Sequence, residues 1–120
     1  MSYESRIFVV KPFEGYPRDK EGREACEVIA KFNLSVIDQE VLDVFVRTSH
    51  FKIYTEEGEE SIISEDKYGD SLKVAEAQDV LNAIKSCPDA MKYRRTRDLY
   101  EFLKSSIKHY DKLYLVHYGY

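Results

Sequence analysis

Lys112-Leu113-Tyr114-Leu115-Val116-His117-Tyr118-Gly119-Tyr120 closes this chain. Termini usually fray, and solvated tails are usually polar. This run is almost wholly apolar or aromatic, so it predicts a strand that is buried or paired and completes a sheet. Working outward, the opening Ile7-Phe8-Val9-Val10 is β-branched and aromatic, sits between Arg6 and Lys11, and is stopped by Pro12. It reads as a short buried strand, and first and last strands are candidates for neighbours in the sheet.

Between them the pattern changes. Ala25, Ile29 and Phe32 recur at helical spacing with Val28 beside them, and Asn33 offers a C-terminal cap, so a helix is expected over 21–32. Residues 36–48 carry two periods at once. Ile37, Val41 and Phe45 have helical spacing, whereas Leu42, Val44 and Val46 alternate, and the reading favours a strand over 42–47. Phe51 and Ile53 mark a half-buried strand. Glu56-Glu57-Gly58-Glu59 reads as a hairpin loop and Ser61-Ile62-Ile63-Ser64 as the returning partner. Tyr68-Gly69-Asp70 makes a tight turn, with an extended piece at Leu72-Lys73-Val74. Ala77, Val80, Leu81 and Ile84 define a second helix closed by Pro88. Asp89 is placed to cap a third helix to about residue 109, burying Leu99, Leu103 and Ile107 with Phe102 adjacent.

The order expected is β-α-β-β-β-α-α-β. That is one α+β domain of 120 residues, a mainly antiparallel sheet with about three helices on one face. A chain of this length buries enough surface to stand without metal or disulfide. Ten tyrosines against no tryptophan give it amphipathic rings for core, sheet face or interface. Tyrosines on an open sheet face would allow a homodimer, though no residue pattern demands one.

Composition excludes several functions. The net charge of −4 argues against a protein built mainly to coat nucleic acid. No run approaches a membrane span, the N-terminus lacks the apolar core of a signal peptide, and Cys26 and Cys87 read as reduced thiols. The expectation is a soluble protein of a cytoplasm. There is no phosphate-binding glycine loop, nucleophile elbow or zinc-protease motif, and His50, His109 and His117 share no metal-ligand spacing. No cofactor, metal or catalytic set is expected.

Three features carry candidate chemistry. Glu56, Glu57, Glu59, Glu60, Glu65, Asp66 and Asp70 stand against only Lys67, most simply as a solvated hairpin tip, otherwise as a contact surface for a basic partner. Tyr93-Arg94-Arg95-Thr96-Arg97 opens a basic helix over 92–108 that continues through Lys104 and Lys108. Arginine beside tyrosine suits phosphate or nucleic acid, but Asp98 and Glu101 lie four residues after Arg94 and Arg97 and are placed to neutralise them. His117, between Val116 and Tyr118, has the chemistry of a general base that Asp66 or Asp70 would orient, as in a small hydrolase.

Ser2-Tyr3-Glu4-Ser5-Arg6-Ile7-Phe8-Val9-Val10, Glu65-Asp66-Lys67-Tyr68-Gly69-Asp70, Tyr93-Arg94-Arg95 and Val116-His117-Tyr118-Gly119-Tyr120 together resemble a group of small uncharacterised proteins encoded by phages and prophages of Gram-positive bacteria. The resemblance implies an accessory protein of the bacterial host cytoplasm, made during infection or lysogeny. The blocks also have a physical reading, in which Asp66 or Asp70 pairs with Arg94 or Arg95 near one end of the sheet. The binding residues expected are Asp66, Tyr68, Asp70, Tyr93, Arg94, Arg95, His117 and Tyr118. Their expected use is non-catalytic binding of a host or phage protein, inhibition of a host defence factor included. Nucleic-acid binding by the 92–108 helix and hydrolysis by Asp70 and His117 are the alternatives.

Overall fold

A computed structural model describes residues 5–15, 17, 20, 22–34, 39–45, 47–48, 51–54, 62–63, 72–110 and 112–119. The chain runs β1 (Ser5–Pro12), β2 (Glu24–Leu34), α1 (Gln39–Leu42), β3 (Arg47–Thr48), β4 (Phe51–Tyr54), β5 (Ile62–Ile63), β6 (Lys73–Glu76), α2 (Ala77–Ser86), a 3-10 turn (Pro88–Lys92), α3 (Arg94–Ser106) and β7 (Tyr114–Gly119). The class is α+β. The strands form one sheet in the order β3-β6-β7-β1-β2-β4-β5, antiparallel except where β2 meets β4.

The two ends of the chain pair as expected. Antiparallel register runs from Ser5 opposite Gly119 to Val10 opposite Tyr114, and β7 is also paired with β6 on its other side. The apolar terminal strand is thus central, with β1 and β6 flanking it.

The expected helix over 21–32 is instead β2, the longest strand. Its partner register explains the misreading. Val9 lies opposite Ala30 and Val10 opposite Val28, so Ile29 is an extra residue, a β-bulge. The bulge puts Ile29, Ala30 and Phe32 against one core cluster, while Cys26 and Val28 join another. Cys26, Val28, Ala30, Phe32 and Leu34 are apolar at every second position, with Glu27, Lys31 and Asn33 between them; Ala25 and the bulged Ile29 lay a helix-like spacing over that alternation. Asn33 is a strand residue here and caps nothing.

The expected strand over 42–47 is corrected as well. Val41 and Phe45 keep their helical spacing: Asp43, Val44 and Phe45 donate back to Gln39, Val41 and Leu42, and the next described strand is Arg47–Thr48. The expected Asp89-capped helix is divided too. Pro88–Lys92 is a 3-10 turn, and α3 starts after Tyr93, whose carbonyl accepts from the Arg97 amide at 3.0 Å. The second helix ends before Pro88 as read. The 56–59 hairpin loop and the 68–70 turn lie outside the described residues.

The two faces of the sheet bury different clusters. On one, Ile7, Val9, Leu34, Ala75 and Leu115 meet Val41, Phe45, Val80, Ile84, Leu99 and Leu103, so all three helices cover this face. On the other, Phe8, Val10, Cys26, Ile53, Leu72, Val74 and Val116 form a second cluster fed by five strands. The chain's own connectivity shows how that side closes. Only two residues separate β3 from β4, a reach of roughly 10 Å, yet four strands stand between them in the sheet order. Five spacings of a flat sheet would come to about 24 Å. The sheet therefore curls, bringing its β3 margin toward β4, and the second cluster fills the concave side.

Candidate functional site

The opening turn of α3 collects the basic residues of the 93–97 block. At 100° per residue, Thr96, Leu99, Leu103 and Ser106 form the buried stripe. Arg95 and Phe102 lean toward β2. The Arg95 guanidinium donates from Nη1 to the Asn33 carbonyl at 2.8 Å, and the Phe102 ring meets Phe32 edge-on at 5.6 Å. Arg94, Arg97 and Lys104 are left facing water. Tyr93 is 40% exposed, the one large hydrophobic side chain so exposed among the described residues.

This arrangement runs against helix electrostatics. The N-terminal end of a helix carries partial positive charge, so cations in the first turn cost a few tenths of a kcal/mol each. The first turn of α3 holds no acidic residue, and Tyr93 makes no side-chain cap. Neutralisation by Asp98 and Glu101, expected from their spacing, does not occur: the described residues form neither pair. The ion pair closed in this stretch joins Lys92 to Asp89 at 3.0 Å, both largely exposed. Of the three arginines at this end of the helix, Arg95 is spent on the Asn33 carbonyl, while Arg94 and Arg97 are exposed and form no ion pair among the described residues.

His117 and Tyr118 are neighbours in sequence but point to opposite faces of the sheet. The His117 ring lies 5.8 Å from Phe45 on the helix-covered face, opposite Ile7 and Lys73. Burial, and secondarily the Lys73 charge, hold its pKa below 6.5, so it is neutral at physiological pH. Tyr118 faces the concave cluster, with the Arg6 guanidinium 5.9 Å from its ring centre. The two therefore lie on opposite faces of the sheet. His117 does share face and end with α3's opening turn. It is opposite Ile7, which is opposite Phe32, one residue from the Asn33 carbonyl that Arg95 grips.

Asp66, Tyr68 and Asp70 lie outside the described residues, and with them the expected ion pair to Arg94 or Arg95 and the hydrolase pair with His117. Cys26 is a buried strand residue of the concave cluster. Burial first, and the Glu24 charge second, push its thiol up to about 12, so it is an inert core hydrophobe. Among the described residues no three His, Cys, Asp or Glu side chains gather as a metal set, and no helix is long and apolar enough to cross a membrane.

Sequence reasoning missed Asn33 and Phe45 as partners of this region. Asn33 enters through its backbone carbonyl, which leaves no trace in residue type. Phe45 was visible as a helical-period residue, but what it would cover was not. Comparison of the chain with protein-family models, with curated proteins and with solved structures finds no match.

Proposed function

We propose that this chain is a small accessory protein of phage type that acts by binding another protein, without catalysis, through the opening turn of α3. The observation that carries the reading is Tyr93, exposed beside Arg94 and Arg97 at the helix end where their charge is least favourable. Tyrosine and arginine are the residues most enriched among those that dominate binding energy, and exposed cations favour an acidic partner surface. A host defence factor is the target that the resemblance to phage and prophage proteins suggests.

The experiment is capture of partners by the tagged protein from lysate of a Gram-positive host, with and without nuclease, in parallel with a Tyr93→Ala/Arg94→Glu variant. A partner retained after nuclease and lost with the variant supports the reading. Equal capture by the variant moves the contact elsewhere on the molecule.

Nucleic-acid binding by the 92–108 helix is the second reading, favoured by the absence of the Arg94–Asp98 and Arg97–Glu101 pairs. It requires capture that nuclease abolishes and an affinity that falls steeply with salt. The hydrolase reading requires Asp70 beside His117 and has no described geometry behind it.

A further inference from the structure

The other end of β2 holds a cleft of about 480 Å³, within the size range of small-molecule sites. It is independent of the α3 reading. Arg95 grips β2 at Asn33, whereas Glu24 lines the cleft, and the nine residue steps from Glu24 to Asn33 span roughly 30 Å of strand. Lys11 comes from the end of β1, His109 and Tyr110 follow α3, and Lys112 precedes β7, so three cationic or protonatable groups converge from separate elements. Lys11 and Tyr110 are half-buried, with the ammonium 5.8 Å from the ring centre, while His109 and Lys112 are exposed. Phe13 supplies a second aromatic wall. Gly15, at φ +78°, turns the chain out of β1 at the rim, and a side chain added there would meet nothing within 4 Å.

From this lining we infer a binding site for a nucleoside monophosphate. Lys11, His109 and Lys112 match a phosphate as donors. Phe13 and Tyr110 offer apolar walls to a planar base. Two carboxylates, Glu14 and Glu24, are acceptors suited to the hydroxyls of a sugar, a role that a bare inorganic anion leaves empty. They also balance the two lysines, which disfavours a polyphosphate carrying several charges. The alternative use of the cations is complementing the negative end of α3, and it makes no demand on any ligand.

Imidazole signals in NMR spectra of labelled protein separate the two uses, with His109 assigned by His109→Gln and His117 as internal reference. Adenosine monophosphate, inorganic phosphate and adenosine are titrated separately. The nucleotide should shift the His109 signals saturably, at a concentration about tenfold below that needed by phosphate or adenosine. Lys112→Gln, an exposed change that leaves the fold intact, should weaken the nucleotide about tenfold, and Lys11→Gln by a similar factor. No saturable change at His109 up to ~10 mM nucleotide, equal affinity for nucleotide and for phosphate or adenosine, or an affinity untouched by both lysine variants would overturn the inference.

Discussion

The two ends of β2 use basic residues in opposite ways. At Asn33, α3 begins, and Arg94 and Arg97 stand out from a convex helix end whose own partial charge repels them. At Glu24, α3 has ended, and Lys11, His109 and Lys112 surround a concavity beside the negative helix end, with carboxylates among them. In the readings proposed above, the charge that the fold opposes meets an outside partner of the other sign with a broad face. The charge accommodated inside a cleft meets something small. One helix thus presents both, since its first turn makes the exposed patch and its exit makes the cleft wall.

Removing what the ends share should have the largest effect. Leu103 is fully buried between α3 and the sheet. Leu103→Ala should cost about 2–5 kcal/mol in urea denaturation and weaken both ends together. If partner capture and the His109 response survived that loss unchanged, the two ends would not depend on α3.

Reversing charge at one end should separate them. Arg94→Glu/Arg97→Glu is expected to weaken partner binding by about 100-fold, close to 3 kcal/mol, while raising the melting temperature slightly, because acid replaces base at the positive helix end, and leaving the His109 response unchanged. Equal damage at both ends would mean that the arginines act through the fold.

Acid should act through His117, at the Asn33 end. Its folded pKa lies below its unfolded value of 6.5, so the folded state resists a proton that the unfolded chain accepts. The stability this gives is fully present above 6.5 and is lost as pH falls from there through the lower folded value. Urea midpoints should decline across that window, and His117→Gln should flatten the decline.

The smallest effect is expected at Arg95. Its bond to the Asn33 carbonyl is exposed, so Arg95→Ala should cost about 0.5–1.5 kcal/mol at most. A larger loss in denaturation would show that this contact fixes where α3 starts on the sheet.

Much of the fold was legible in short stretches. Ile7–Val10 and Tyr114–Val116 hold enough β-branched and aromatic side chains that burial as strands was the natural outcome, and Ala77, Val80 and Ile84 repeat at helical spacing without interruption. β2 failed because Ala25, Ile29 and Phe32 overlay a helical spacing on the alternation of Cys26, Val28, Ala30, Phe32 and Leu34, and the bulge at Ile29 shows only in the register. At the candidate site, Tyr93 and the arginines were visible by type. The missing Asp98 and Glu101 pairs, and the division of His117 from Tyr118 across the sheet, required coordinates.

The sequence by itself determined the α+β class, the strand character of Ile7–Val10 and of Tyr114–Val116, and the basic opening of the third helix. These rest on local hydrophobic content and residue type, which act over a few residues. Tertiary structure alone decided that β2 is a bulged strand, that the sheet curls around a second core, and that Lys11 meets Tyr110 across ninety-nine positions of chain. Those outcomes depend on register and closure, which are settled by surfaces far apart in sequence burying each other together.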